Sequence, residues 1–474
     1  MTRLAEQPTL NPTLDTPSIL IQGATVINPS RQLSDRCDVL ISGGRITAVE
    51  KNLTREQNMQ VIDATGLHIS PGFVDLHGHL REPGSGHSET IASGSLAAVA
   101  GGYTTVAAMP STEPVADSPA SVRYVMDRAS QAGLLRVLPI SALTKQMQGK
   151  QLCDLAALRD AGAVAAADVM RTITDTQVLR RAMQYTRTLN LPIFLHAEDP
   201  TLSAGGLMHE GPVSLRLGLT GIPRSAESTI VARDAQLALE TGARVHFCHI
   251  SNAESVEVLR FYRGLISTRN SPASLTADVT PHHLTLTDES VDGGKEKDVS
   301  NWGGRYATNA KVKPPLCAED DRTALVQGLA DGTIDCICTD HAPHYPASKD
   351  TLFELAPFGI IGYESALAAL HTALVTTGQW TPERLIEKLT TAPAAVLGGN
   401  WGTIDVGAPA DITLLDLESR YTFDENDLHS KSRNCPWLGQ QMTGRCAATF
   451  CSGNPVYAQI DVFPDGLFCT RGDS

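Results

Sequence analysis

The pattern of apolar and polar residues changes twice along the chain. Between Ser18 and His68 it consists of short β-branched runs, such as SILIQGATVI and CDVLISGGRITAVE, which are bounded by Gly and Asn and are typical of short strands. From about residue 69 onward, short apolar runs alternate with longer stretches that can form helices. Beyond about Gly398 the short β pattern returns, in IDVGAPADITLLD and GRCAATFCSGNPVYAQ. The chain therefore divides into two outer β regions and a long central α/β region.

The central region contains eight apolar runs that fit buried strands. Stretches long enough for helices, such as 121–132 and 176–188, lie between them. Eight strand-then-helix units predict a TIM (β/α)8 barrel, and nearly continuous apolar strands suit a sheet that is buried on both faces. The eight runs are GFVDLHGH, YTTVAAMP, LRVLPIS, AVAAADV, PIFLHAED, RVHFCHIS, LTADVTPHH and IDCICTDHAPH.

These patterns predict an α/β fold with two domains. Residues 69–398 are expected to form the TIM barrel. Residues 18–68 and 399–474 are expected to pair into one small, β-sandwich-like domain built from both chain ends. Residues 1–17 are polar and contain proline, so we predict that they are disordered.

Composition excludes several classes of protein. The 474 residues carry a net charge of -14 at pH 7 and no cluster of Lys and Arg, which argues against a nucleic-acid partner. No apolar run reaches the roughly 18 residues of a membrane span, and the N-terminus lacks the basic start and apolar core of a secretory signal. The ten cysteines form no CxxC and no compact framework, which indicates reduced thiols in a cytoplasmic protein.

Histidines gather at the ends of the predicted strands. His77 and His79 close the first strand, His196 closes the fifth, His249 lies in the sixth and Asp340 lies at the end of the eighth. The carboxyl ends of barrel strands surround one pocket, and residues two apart on a strand point the same way. A single histidine is more often a satisfied core or surface residue. The whole set predicts a divalent metal site, for which zinc is well suited and iron or manganese remain open.

Asp340 and Arg81 have candidate roles beside such a metal. A carboxylate there can be a ligand and also the base that orients or deprotonates water, although an aspartate after a strand is also a common helix N-cap. Arg81 lies two positions past His79. It could be a solvated surface residue, or it could bind a substrate carboxylate through two parallel hydrogen bonds.

The same residues resemble successive signatures of the dihydroorotases of the amidohydrolase superfamily. The similarity runs from about residue 18 to 460 and keeps its order. It implies a barrel with one or two zinc ions and the reversible hydrolysis of dihydroorotate to N-carbamoylaspartate, a step of pyrimidine biosynthesis. The segments that carry it are DLHGHLREPG, GGYTTVAAMPSTEPVADSP, LHAED, CHISNAESVEVLR, DVTPHHLTLTD, TNAKVKPPL, TDHAPH, LAPFGIIGYESAL and KSRNCPWLGQQMTGR.

The resemblance implies a role for each matching residue. Asp340 matches the catalytic carboxylate that moves a proton during hydrolysis. The positions of metal ligands are occupied by His77, His79, His196, His249 and Asp340. The positions that bind substrate are occupied by Arg81, Ser111 and His344, of which the arginine and the histidine match groups that bind the substrate carboxylate.

Three departures from the family pattern change this expectation. In the subgroup that this chain most resembles, an aspartate of strand four bridges two metals, but Val169 stands there and the strand offers no lysine either. Asp168 is a possible replacement only if the strand slips or bulges. A substrate-binding asparagine is replaced by Ser111, and NPPLR has become KPPLC, with Lys313 and Cys317 at the altered positions. We therefore expect one zinc, or two bridged by hydroxide or by Asp168, and reduced activity.

Two other functions remain open at this point. One is an inactive dihydroorotase-like partner of aspartate carbamoyltransferase, although such proteins usually lack the histidines that this chain keeps. The other is a sister amidohydrolase that acts on hydantoin, dihydropyrimidine or allantoin, but those relatives generally use a carboxylated lysine, and their neutral substrates do not call for Arg81 and His344. For the enzyme we expect a small-molecule substrate, no nucleic-acid or membrane partner, a homo-oligomer, and aspartate carbamoyltransferase as a candidate partner.

Overall fold

The computed structural model describes residues 17–293, 306–459 and 462–463. Apart from Pro17, the segment predicted to be disordered lies outside the described residues. Within the described ranges, no helix combines the length and apolar character needed to cross a membrane. The nine cysteines in these ranges are all free and buried.

Seven short strands precede the barrel. They are β1 (Ile19–Gln22), β2 (Thr25–Asn28), β3 (Leu33–Arg36), β4 (Asp38–Ser42), β5 (Arg45–Glu50), β6 (Gln60–Asp63) and β7 (His68–Pro71). β1 pairs antiparallel with β4 and parallel with β6, so that a four-stranded sheet forms in the order β5-β4-β1-β6. The apolar runs at this end of the chain therefore form strands, as their β-branched residues predict.

Eight parallel strands form the central sheet, at the places where the apolar runs predict them. They are β8 (Phe73–Gly78), β9 (Tyr103–Ala108), β10 (Arg136–Ala142), β11 (Ala165–Ala167), β12 (Ile193–Leu195), β15 (Arg244–Phe247), β16 (Ser274–Val279) and β17 (Cys336–Ile337), while β13 (Met208–His209) and β14 (Gly221–Ile222) form a separate pair. A bridge between Gly78 and His341 joins the first strand to the end of the last. The predicted TIM barrel is confirmed.

Helices follow the barrel strands and cover the outside of the sheet. The predicted helical stretches 121–132 and 176–188 lie within α2 and α4. Serine and threonine start several of these helices, as Ser118 does for α2, where its side chain accepts a hydrogen bond from the amide of Ser121. The helices are α1 (Ile91–Ala100), α2 (Pro119–Ala132), α3 (Leu155–Asp160), α4 (Thr176–Leu189), α5 (Pro212–Leu217), α6 (Ser225–Thr241), α7 (Ala253–Thr268), α8 (Pro281–Thr285), α9 (Glu319–Asp331), α10 (Pro346–Lys349), α11 (Tyr363–Leu370), α12 (Pro382–Leu389) and α13 (Thr391–Leu397).

Three strands after the barrel return to the strands before it. They are β18 (Ile412–Thr422), β19 (Gln441–Cys451) and β20 (Asn454–Ala458). β18 pairs antiparallel with β7, and β7 pairs parallel with β2, which gives a six-stranded sheet in the order β20-β19-β18-β7-β2-β3. A hydrophobic core shared by both ends of the chain lies beside these sheets and includes the fully buried Ile21, Val39, Ile412 and Phe450.

The seam that closes the barrel is packed tightly against α11. The ring of His341 stacks on the fully buried ring of Tyr363, with centroids 4.0 Å apart. A Cβ atom added to Gly78 would lie 2.0 Å from the Tyr363 hydroxyl oxygen and 3.0 Å from a methyl carbon of Val106. Glycine between the two histidines of HGH is therefore required by packing, because no side chain fits between β8 and α11.

Replacement of Gly78 by alanine is expected to lower the midpoint of thermal unfolding. Overpacking of this kind costs roughly 1–3 kcal/mol. The matched control is Gly264→Ala in α7, where an added Cβ meets nothing within 4 Å. Alanine favours a helix by about 1 kcal/mol over glycine, so the control should melt at or above the parent temperature. Equal midpoints for the two variants would contradict the packing argument.

Candidate metal centre

The strand ends bring together the five residues predicted as metal ligands. The ring centroid of His77 lies 5.2 Å from the centroids of both His79 and His249, and the centroids of His196 and His249 are 4.9 Å apart. The Nε2 atoms of His77 and His79 lie 3.4 and 3.5 Å from the same carboxylate oxygen of Asp340. All five side chains are buried. The predicted group is thus one compact cluster at the carboxyl end of the barrel.

Burial favours the neutral form of three imidazoles in this cluster. It lowers the pKa of His77 to about 4 and the pKa values of His79 and His249 well below the usual range. A neutral imidazole has a lone pair with which it can bind a metal. Among the described residues, neither ring nitrogen of His77 has a hydrogen-bond partner, and nor does Nδ1 of His249. Unpaired buried nitrogens are costly, and a bound cation would satisfy them.

The spacing of the nitrogen and oxygen atoms also fits a metal ion. His196 Nδ1 and His249 Nε2 lie 3.1 Å apart, and the contacts of Asp340 with His77 and His79 measure 3.4 and 3.5 Å. Ligands at 2.0–2.1 Å from a tetrahedral zinc are separated by about 3.3 Å. The residues present therefore fit a divalent metal in both chemistry and spacing.

Three residues of the site have left-handed backbone conformations. The φ angles are 41° at His249, 48° at Asp340 and 57° at Arg81. This region is unfavourable for residues other than glycine and costs on the order of 1–3 kcal/mol at each position. All three follow the ends of barrel strands, so the turns at these places direct side chains toward the cluster at the expense of backbone stability.

A buried network below the cluster holds His249 in this conformation. The carboxylate of Asp278 accepts a 2.7 Å hydrogen bond from the His249 amide and a 2.8 Å bond from His246 Nε2. The Cys338 thiol also donates to Asp278, and Cys248 lies close by. His246, Cys248 and Asp278 are near enough to one another to bind a metal, but the hydrogen bonds already occupy the carboxylate. We interpret this group as support for His249.

Glu198 extends the site beyond the residues predicted from the sequence, and it pairs with Lys313, which was noted there only as a departure from the family pattern. Glu198 Oε2 lies 3.0 Å from His196 Nε2, and Lys313 Nζ lies 2.8 Å from Glu198 Oε1. Burial by itself raises the pKa of Glu198, but hydrogen bonds from His196 and Lys313 outweigh this effect and lower the pKa to about 2. A carboxylate in this position fixes the tautomer and orientation of a metal-binding histidine. The signal available in the sequence was an acidic residue two positions after His196.

The residues predicted to bind substrate lie around the cluster. The Ser111 hydroxyl is 3.0 Å from Nδ1 of His79. Arg81 donates through Nε to the carbonyl of Pro343 at 3.0 Å, and burial lowers its pKa to about 10, so it stays charged at neutral pH. His344 Nε2 donates to the Phe358 carbonyl at 2.8 Å; burial and the nearby Arg81 lower its pKa to about 3.

Asp168 is turned away from the histidines. One of its oxygens accepts hydrogen bonds from the amides of Leu143 and Thr144 at 3.0 and 2.9 Å, and the other accepts from the Thr144 hydroxyl. β11 pairs with both neighbours without a register shift, so the slip that would redirect Asp168 does not occur in this strand. Val169 is buried among apolar residues, including Phe194, inside the barrel. The carboxylate thus anchors the loop after β10.

A cavity of about 530 Å³ opens beside the cluster. Its volume is within the range of roughly 300–1,000 Å³ that is usual for small-molecule sites. Polar and apolar groups both contribute to the wall, which includes Arg171, His196, Glu198, Lys313 and Phe358. The cavity therefore gives a small molecule access to His196 and Glu198, at one edge of the imidazole cluster.

Comparison with known proteins agrees with this geometry. A family model described as "Dihydro-orotase-like" matches residues 66–255. The chain is 42% identical over 440 residues to a dihydroorotase of Pelobacter propionicus, covering 93% of this chain and 99% of the relative. It is 43% identical over 445 residues to a dihydroorotase of Syntrophobacter fumaroxidans, covering 93% and 97%.

Solved structures with the same fold include two hydantoinases. The L-hydantoinase (dihydropyrimidinase) from Arthrobacter aurescens has a TM-score of 0.80 and 22% identity, covering 94% of this chain and 96% of that one. The D-hydantoinase (dihydropyrimidinase) from Thermus sp. has a TM-score of 0.75 and 23% identity, covering 92% and 94%. At this identity they establish the barrel fold alone. The relatives matched over nearly their whole length show that the chain belongs to the dihydroorotase family.

Proposed function

We propose that this protein is a zinc-dependent dihydroorotase, which reversibly hydrolyses dihydroorotate to N-carbamoylaspartate in the pyrimidine biosynthesis of the cytoplasm. The observation that carries the proposal is the cluster of four buried histidines with Asp340, in a chain 42% identical to a protein named dihydroorotase. A barrel that only bound other proteins would gain nothing from the buried nitrogens of His77 and His249 that have no hydrogen-bond partner.

We propose one firmly held zinc ion rather than two equivalent ones. His77, His79 and Asp340 offer three ligand atoms within 4.8 Å of one another, whereas His196 and His249 offer two imidazoles. A second ion beside the latter pair would lack a bridging carboxylate, because the oxygens of Asp168 are occupied by the loop after β10. We expect such an ion to be held more weakly than the first.

When bound, zinc supplies a nucleophile derived from water near neutral pH and polarises the amide carbonyl of the ring. The side chains around the zinc would transfer the proton and bind the substrate. Burial raises the pKa of Asp340, which suits a base that takes a proton and returns it to the leaving nitrogen. The charged Arg81 would hold the substrate carboxylate, with Ser111 and His344 beside it. Ser111 is a shorter donor than the asparagine that it replaces, and we propose that turnover is slower as a result.

The two alternatives receive less support. β11 consists of Ala165–Ala167 and contains no lysine, so the carboxylated lysine that the sister amidohydrolases generally use has no counterpart in that strand. An inactive partner of aspartate carbamoyltransferase would not need the histidine cluster. We also propose that the active enzyme is a homo-oligomer and that aspartate carbamoyltransferase is a partner. The proposed domain limits are residues 69–398 for the barrel and residues 18–68 with 399–474 for the small domain.

Zinc content and turnover of dihydroorotate in the purified protein test the proposal together. We expect zinc to copurify and dihydroorotate to be hydrolysed, with the reverse reaction measurable from N-carbamoylaspartate. A metal-free chain without turnover, even after zinc is added, would support the partner role instead. Hydrolysis of hydantoin but not of dihydroorotate would support the sister class.

The Asp340→Ala variant is expected to lose hydrolysis even when added zinc keeps the site loaded, and to hold that zinc more weakly than the parent. The reason is that the variant lacks the proton-transfer group and one of the three ligands of the firmly held ion but retains four imidazoles. Steady-state rates and metal analysis on the same sample measure both quantities. Asp234→Ala is the control, because Asp234 is a buried carboxylate in α6 that pairs with Arg233, and its loss should leave the rate unchanged. A rate for Asp340→Ala within a few-fold of the parent would show that another group moves the proton.

The Glu198→Gln variant is expected to bind the more weakly held zinc ion, beside His196 and His249, about 10–100-fold more weakly than the parent. Loss of a carboxylate that orients a metal-binding histidine has effects of this size. Competition with a chelator of known affinity measures the change. Asp411→Asn serves as the control, since it weakens an equally buried ion pair, with Arg136, that does not touch the histidines. If both variants bind zinc as the parent does, Glu198 does not support His196.

A further inference from the structure

A short segment after β18 contacts loops that follow the barrel strands. Ser430 donates through its hydroxyl to the buried Glu89, and Ser432 donates to the Ser88 carbonyl at 2.8 Å. Residues 430–434 thus contact the turn after β8, although more than 300 positions separate the two in sequence. The segment belongs to the part of the chain that follows the barrel, yet its contacts lie on the side of the site that holds Arg81 and His344.

Asn434 is the residue of this segment with the most specific contacts. Its side chain is 3% exposed and makes three hydrogen bonds. Nδ2 donates to the carbonyls of Ala342 and Gly359 at 3.0 and 3.1 Å, and Oδ1 accepts from the His344 amide at 3.2 Å. Both donors face carbonyls and the acceptor faces an amide, so only one orientation of the amide group satisfies all three bonds.

These contacts hold two loops against each other. The loop 341–344 carries His344, and the loop 358–361 carries the Phe358 carbonyl to which the His344 ring donates. A Cβ atom added to Gly359 would lie 2.8 Å from the Ala342 side chain and 3.1 Å from His344 Nε2, which shows how closely the loops approach. Asn434 bridges them at this point and also accepts a backbone hydrogen bond from Ile361.

We infer that Asn434 is a positioning residue for substrate binding, which acts by holding the loop 341–344, which carries His344 and whose Pro343 carbonyl accepts a hydrogen bond from Arg81. The inference rests on the proposed function, because that function assigns Arg81, with His344 beside it, to the substrate carboxylate. Asn434 contacts none of the five residues of the metal cluster through its side-chain hydrogen bonds. Its loss should therefore affect the binding of dihydroorotate and leave zinc in place.

The test compares two substitutions at position 434 in the zinc-loaded full chain. Asn434→Ala removes all three hydrogen bonds, and Asn434→Asp keeps the acceptor but loses both donors with almost no change in shape. We expect KM for dihydroorotate to rise about tenfold or more in both, since small displacements of binding groups can have effects of up to about 100-fold. We expect kcat to change much less and the zinc content to stay at the parent level. The aspartate variant covers the case in which the alanine variant does not fold.

Asn28→Ala is the matched control. Asn28 has an equally buried amide side chain, which donates to Asp405 at 2.9 Å in the small β region, far from the site in sequence and in fold. It should lower the unfolding midpoint without changing KM. The inference is wrong if the Asn434 variants keep the parent KM, or if only kcat or the zinc content falls.

Direct binding of dihydroorotate, measured by calorimetry, separates this inference from the proposed function. A parent protein that binds dihydroorotate but does not hydrolyse it would contradict the proposed function. The Asn434 variants would then still be expected to bind more weakly than Asn28→Ala. A parent that neither binds nor hydrolyses dihydroorotate would overturn both.

Discussion

The site depends on the burial of four histidine side chains away from water. A buried nitrogen without a partner costs free energy, and His77 has two of them. The protein accepts this cost at several positions at once, together with strained backbone at His249 and Asp340. Such features persist only when something else compensates. In the function proposed above, the compensation is the binding of a cation, which would satisfy the buried imidazole nitrogens that have no hydrogen-bond partner.

The features that could be predicted from sequence are those with a regular period. All eight barrel strands lie where the apolar runs occur, because a strand buried on both faces needs a continuous apolar segment. The convergence of His77, His196 and Asp340 follows from the same geometry, since parallel strands of a closed barrel end at one face. Local sequence and overall topology agree at these positions, which is why the histidines and the aspartate at the strand ends, taken as a set, predicted the candidate site.

Features that depend on side-chain direction in irregular segments could not be predicted. Nothing in AADVM shows that Asp168 bonds to the amides of Leu143 and Thr144, because those partners lie in the turn after another strand. The ion pair of Lys313 with Glu198 joins residues from two loops more than 100 positions apart. Hydrogen bonds of this kind are set by the folded arrangement of loops, and no periodic pattern in the chain encodes them.

The six-stranded sheet has a consequence for the order in which this molecule can be completed during synthesis. The eight barrel strands and all five residues of the metal cluster emerge from the ribosome before β18, and chains generally fold from the N-terminal end as they are made. β7, by contrast, waits for β18 before its second edge is paired, and the amide of Asn434 arrives after that. A nascent chain could therefore bring its histidines together before the segment that bridges the loops of His344 and Phe358 has been made.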